Sequence, residues 1–207
     1  MSKPFWDLEQ PRGRILPALA AGLVPVLVAL LATGLLLVRP ALRGLDHAQE
    51  VLAAAGELRS TSRALQRDAL LMIFDEPTRE KTGQRLDARV PEFRALADRL
   101  GAALDPVDPE RATRIRETHA ALADGFEAVT RSVRLGAGVD ANWKVQQDGV
   151  LAAEVPAART NDPVIAQYQT YMDASLGEVR MAFWLSFLIA LVSLGFGVAS
   201  AAVVLRR

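Results

Sequence analysis

The chain has 207 residues, no cysteine, two histidines, and 24 basic against 24 acidic side chains, with 51% hydrophobic residues. The lack of cysteine excludes disulfides, thiolate metal sites, iron–sulfur clusters and thiol nucleophiles, and two histidines argue against a catalytic zinc centre. The zero net charge is unevenly laid out: residues 15–38 and 181–205 carry no charge, while residues 39–180 hold 19 basic and 22 acidic side chains. A soluble single-core globule does not segregate its charges in this way.

Residues 1–14, with Lys3, Arg12 and Arg14, read as a short cytoplasmic N-terminus. Ile15 to Val38 is an uncharged run of 24 residues. At about 1.5 Å per residue, a helix of that length crosses a hydrocarbon core of about 30 Å. The run is longer than the apolar core of roughly 7–15 residues expected of a cleaved signal peptide. It ends in Leu-Leu-Leu-Val-Arg-Pro instead of a small-x-small cleavage site, so an uncleaved signal anchor is expected. Pro17 is tolerable in a first turn, and Pro25 should kink the span.

The polar segment that follows has helical periodicity. Leu45, Ala48, Leu52, Ala55, Leu58, Ser62, Leu65, Ala69 and Met72 recur at intervals of 3 or 4 and mark one side of a long helix. Asp75-Glu76-Pro77 ends it, with Thr78 as expected N-cap of the next. There Leu86, Val90, Phe93, Ala97, Leu100 and Leu104 form the stripe, with a bend expected at Pro91. Asp108 and Pro109 make an N-cap and first-residue pair. The third helix carries Ile115, His119, Leu122, Phe126, Val129 and Val133, and Gly136-Ala-Gly138 breaks it. Three such helices joined by short turns must run up, down and up.

The return is less regular. Pro156 and Asp162-Pro163 predict a break between residues 156 and 163, with Asp162 capping a new helix whose stripe is Ile165, Tyr168, Met172, Ser175 and Val179. No turn signal separates that helix from Met181–Leu205, a second uncharged run of 25 residues with Trp184 near one end. The first bundle helix joins the first span in the same way, across a junction weakened by Arg39-Pro40 and Gly44. The expected fold is all-α: a membrane-anchored antiparallel four-helix bundle between two transmembrane helices. Lys3, Arg12, Arg14, Arg206 and Arg207 place both termini in the cytoplasm and residues 39–180 outside it. Arg39 and Arg43 oppose this, but long segments translocate largely regardless of charge.

Anchor, helical bundle and second span, in that order, resemble the sensor half of bacterial transmembrane receptors. The arrangement is similar to the four-helix-bundle ligand-binding domain of chemoreceptors and of some sensor histidine kinases, CHASE3-like bundles included. The stretch Leu65 to Asp75, LQRDALLMIFD, is similar to the end of the first bundle helix in those families. The resemblance implies the bacterial inner membrane, a homodimer and a sensory input role. In such receptors the second span continues into a cytoplasmic linker and an output module, whereas this sequence ends at Arg207. Two expectations follow: a sensory portion of a longer receptor, or a non-signalling accessory or scaffold subunit of a larger membrane complex.

Candidate sites are few. The expected break at Arg159, Thr160, Asn161 and Asp162 would expose unpaired helix-end groups and is the first choice for a ligand pocket, the alternative being a plain kink. Arg59, Arg63 and Arg67 recur every four residues on the first helix and could hold an anionic ligand, Arg63 being the ligand candidate among them. The alternative is a solvated face of i, i+4 ion pairs. His47 and His119 are weak candidates for a shared metal or pH-sensing pair, with Asp46, Glu50 and Glu117 as further ligands. The alternative for each is an ordinary half-buried histidine. Trp143, Tyr168 and Tyr171 read as packing residues. Gly197 and Ala201 form a small-xxx-small pair in the second span, with Gly34 in the first, suited to a dimer or to packing within one chain. No catalytic constellation and no cofactor motif is present in the sequence. The acidic balance of residues 39–180 disfavours nucleic acid, leaving lipid, a second copy, and a small-molecule ligand or protein partner as expected contacts.

Overall fold

The computed structural model describes residues 23–206 except 25 and 29. The N-terminal basic residues, Pro17, Pro25 and Arg207 lie outside the described residues. Among those described, the chain is all-α, with no strand. Helix α1 spans Arg39–Phe74 and is preceded by a π-helical stretch, Gly34–Val38. Helices α2 (Arg79–Leu104), α3 (Pro109–Arg134) and α4 (Val139–Val145) follow, then a π-helical segment, Gln146–Leu151, and α5, Ala152–Arg206. Two compact units result: Asp46–Met172, and the two chain ends, Met1–Leu45 with Asp173–Arg207.

In the unit of residues 46–172 the heptad stripes are the core. Every stripe residue named for α2 and α3 is buried. Phe93 of α2 and Phe126 of α3, both 0% exposed, meet edge to face with ring centroids 6.4 Å apart. α1 contributes both small residues, Ala48, Ala54, Ala55 and Ala69, and larger ones, Val51, Leu58, Leu65, Met72 and Ile73, to the same cluster. Beside this core lies one fully buried carboxylate. Asp68 of α1 accepts a hydrogen bond from an Arg89 terminal nitrogen at 2.6 Å, and Arg85 stands 3.9 Å from its other oxygen.

The turns follow from their side chains. Asp108 caps α3 by accepting from the Arg111 backbone N–H at 3.0 Å, with Pro109 as first residue, as the sequence predicts. Thr78 behaves differently. Its hydroxyl donates to the Asp75 carboxylate at 2.7 Å, so its side chain caps nothing, and a short 3-10 turn, Glu76–Thr78, precedes α2. A bond to an ionised acceptor is stronger than one from a backbone amide to a hydroxyl, which explains the choice. After α3 the chain turns at Gly136, whose φ of 75° suits a residue without Cβ. Asn142 closes that turn, accepting from Ser132 and donating to the Ala137 carbonyl.

The expected break between Pro156 and Pro163 is absent: α5 is helical through both prolines. Each proline removes one bond, to the carbonyl four residues earlier, and both prolines are exposed, as are Ala152 and Arg159. The freed carbonyls therefore lie on the solvent face, where water satisfies them. Pro91 obeys the same rule within α2. Asp162 consequently caps no helix start. The buried stripe of this stretch is Ala157, Asn161, Val164 and Tyr168; of the expected stripe, Tyr168 and Ser175 are buried, and Ile165 and Met172 are partly buried against the core. The irregularity lies earlier, in the π-helical segment. Gln146 there is fully buried, and neither of its amide atoms has a hydrogen-bond partner among the described residues.

That segment packs on α3 where two glycines meet. A Cβ on Gly125 would stand 2.9 Å from the carbonyl carbon of Gly149. Because the obstacle is backbone, it cannot rotate away. Gly125→Ala is therefore expected to destabilise the fold by about 2 kcal/mol, measurable by chemical denaturation, even though alanine is the better helix former.

The unit formed by the two chain ends is different in character. Two helices, Val26–Phe74 and Val139–Ala199, are long and apolar enough to cross a membrane, and their apolar windows are 0% and 6% buried. Leu36, Met181 and Phe196 are each more than 70% exposed. Such a density of exposed apolar side chains is foreign to a water-facing surface. An apolar furrow of about 370 Å³ is lined by Leu23 and Val26 on one side and by Phe187, Leu194 and Gly197 on the other. Gly197 thus borders the furrow between the two apolar helices, although nothing stands within 4 Å of a Cβ placed on it. Nothing stands within 4 Å of a Cβ placed on Gly34, and the side chain of Ala201 lies outside the described residues.

Candidate functional site

A polar cleft of about 110 Å³ lies between α1 and α5 in the unit of residues 46–172. Position 161 faces the core, and 154, 158 and 162 flank it on the same side of α5. From α1, Arg59, Ser62 and Arg63 line the opposite wall, because 59 and 63 are one turn apart. His119 of α3 completes the lining.

Asn161 is the most constrained of these side chains. It is 3% exposed and donates through Nδ2 to the Ala55 carbonyl at 3.2 Å, while Oδ1 has no partner among the described residues. His119, also 3% exposed, places Nδ1 2.8 Å from the Ile115 carbonyl and its ring 5.7 Å from Phe93. A carbonyl only accepts, so Nδ1 carries the hydrogen and neutral His119 offers Nε2 as an acceptor. Burial depresses its pKa below 6.5, partly offset by the Ile115 hydrogen bond. Arg59 pairs loosely with Asp162, 3.7 Å apart and both half-exposed. Glu154 accepts from the Gln66 amide at 2.9 Å.

The structure therefore brings Arg63, Asn161 and Asp162 to one cleft. Arg159 is exposed and outside the lining. Thr160 points to α3, bonding the Ala157 carbonyl and standing 3.1 Å from the Thr118 hydroxyl. The two histidines do not share a site: His47 stacks edge-on to Tyr168 at 6.0 Å, and its Nε2 is buried without a hydrogen-bond partner among the described residues. No cluster of three or more metal-ligating side chains occurs among the described residues. Trp143 packs on Phe74, and Tyr171 is exposed. Glu154 and His119 are the lining residues that sequence reasoning did not connect with this cleft. The signal for Glu154 was its spacing of seven from Asn161, two helical turns, which counts only once the helix is continuous.

The depressed His119 pKa has a consequence for stability. Above the unfolded value, near 6.5, both states hold the ring neutral and the contribution is unaffected. As pH falls below that value the unfolded chain takes up the proton first, and stability is lost. Melting temperature is expected to fall on going from about pH 7.5 to about pH 5, and to fall less in His119→Gln.

No family model, curated protein or solved structure matches the chain. The class it defines is thus read from the molecule itself: an all-α chain with two membrane-length apolar helices and a polar cleft between helices.

Proposed function

We propose that the chain is the extracytoplasmic sensory input module of a bacterial transmembrane receptor, converting occupancy of the cleft into a helix displacement carried across the inner membrane. The observation that carries this reading is α5. One unbroken helix holds Glu154, Asn161 and Asp162 of the cleft and continues to Arg206 through the uncharged run that begins at Met181. A ligand that shifts α5 against α1 by an ångström or two has a continuous helical element through which to act. The exposed apolar windows of both long helices support two spans flanking the polar segment. Four-residue turns at 75–78, 105–108 and 135–138 support an antiparallel, up-and-down bundle. Both termini lie in the cytoplasm in this arrangement, and a two-fold dimer through bundle and spans is its natural assembly.

Reporter fusions test the arrangement. A fusion after Arg207 is expected to report the cytoplasm, and an insertion within residues 136–140 the opposite side. The same side for both removes a span and the receptor reading with it.

A further inference from the structure

Three arginines stand where the uncharged runs of the two long helices end. Arg39 follows the run that stops at Val38, Arg43 lies one turn further on, and Arg180 precedes the run that starts at Met181. All three belong to the unit formed by the chain ends and are exposed, and their side chains make no hydrogen bond or ion pair among the described residues. The nearest acids in sequence do not neutralise them. Asp46, three residues beyond Arg43, forms no ion pair with it among the described residues. Glu178, two residues before Arg180, points to another side of α5, where it lines an apolar pocket with Met181, Ala182 and Leu185. On the side of Arg180 the helix is aromatic. Phe183, Trp184 and Phe187 follow at three, four and seven residues and share its face. Phe183 and Phe187 each meet Trp184 edge on, with centroids 6.3 and 5.9 Å apart, and all three rings are exposed. Beyond Arg39, α1 and the π-helical stretch before it expose Leu31, Leu35 and Leu36 in the same way.

We propose that Arg39, Arg43 and Arg180 form a collar that binds the phosphates of anionic phospholipids, with acyl chains lying along Phe183, Trp184 and Phe187. The collar rests on the two-span arrangement proposed above and adds to it the charge of the headgroup and the residues that hold it. With both runs in the hydrocarbon, the rings take the place of an interfacial aromatic belt and the guanidinium groups reach the level of the phosphates. A guanidinium presents a fork of donors that matches phosphate oxygens. A zwitterionic headgroup brings its own cation, which offsets its phosphate, whereas an anionic one leaves a net charge for the unpaired arginines. Arg39 and Arg43, which run against the charge rule for orientation, thereby have a partner on their own side of the bilayer.

Trp184 reports on its own surroundings once Trp6→Phe and Trp143→Phe leave it the sole tryptophan of the full chain. That chain, reconstituted in phosphatidylcholine vesicles, is given a minor fraction of phosphatidylglycerol with brominated acyl chains, or the same fraction of brominated phosphatidylcholine. Quenching of Trp184 is expected to show phosphatidylglycerol enriched about fivefold at the helix, and Arg180→Gln should bring the two lipids to within about twofold of each other. In nonionic micelles, phosphatidylglycerol is expected to raise the melting temperature of the full chain more than phosphatidylcholine does. That difference should vanish when Arg39→Gln, Arg43→Gln and Arg180→Gln are combined. Glycerol 1-phosphate, the headgroup without chains, is expected to change neither reading; competition by it would mean a site for free phosphate and would overturn the proposal. Equal quenching by the two brominated lipids, or a preference that survives Arg180→Gln, overturns the collar and leaves the spans in place. Quenching by neither lipid puts Trp184 outside the bilayer and overturns the two-span arrangement as well.

Discussion

Replacing Phe126 by alanine is expected to cost about 4 kcal/mol of stability in the bundle, read by denaturant or thermal unfolding of the full chain in micelles. The side chain is 0% exposed and lies in the core shared by α1, α2, α3 and α5. Truncation removes its transfer free energy and leaves a cavity beside Phe93, whose ring is the edge-to-face partner of Phe126. Phe93 also stands against the His119 ring, so the wall of the cleft is expected to loosen with the core. Phe126→Leu keeps most of the volume and should cost only about 1–2 kcal/mol. A loss below about 1 kcal/mol for the alanine variant would mean that the stripes of α2 and α3 do not meet as described.

The second large effect concerns the buried carboxylate. Arg89→Ala is expected to destabilise by about 3 kcal/mol, because Asp68 would be left fully buried with Arg85 3.9 Å away and no hydrogen bond. Arg89 itself is 35% exposed, and that access to water keeps the effect at the lower end of what breaking a buried pair costs. The double variant Asp68→Leu with Arg89→Ala should recover most of the loss, since both the charge and its unmet demand are gone. Unfolding of the two single variants and the double one measures the coupling directly.

What the sequence disclosed, and what it did not, follows from which forces act locally. The stripes of α2 and α3 were legible because apolar side chains at 3–4 spacing have one stable destination, the inside of a helical cluster. Asp108 with Pro109 was legible because a cap is satisfied within one turn. The continuity of α5 was not. Pro156 and Pro163 are strong local signals, and their cost depends on which face carries them, a property of the whole bundle. The π-helical segment at Gln146–Leu151 and the crossing of Gly125 with Gly149 lacked a local signal altogether, since each exists only where two distant helices touch. The cleft shows the same division. Asn161 and Asp162 were singled out for an expected helix break and Arg63 as one of a row of arginines, yet they converge because the helix is unbroken and repeats the same face at 154, 158 and 161–162. His119 was visible as a stripe residue and as a weak partner for His47, not as a lining residue of this cleft; the Ile115 carbonyl that fixes its tautomer gives it an acceptor role.

The central claim is that occupancy of the cleft moves α5 against α1. The absence of cysteine makes it directly measurable, because two introduced cysteines are the only sites for spin labels. Ala53 on α1 and Gln169 on α5 are both exposed and suit the purpose. Their separation, taken by dipolar spectroscopy on the full chain with and without a small solute that calorimetry shows to bind at the cleft, is expected to change by about 1–2 Å. An unchanged separation with the ligand demonstrably bound would contradict the sensory account while leaving the binding site itself in place.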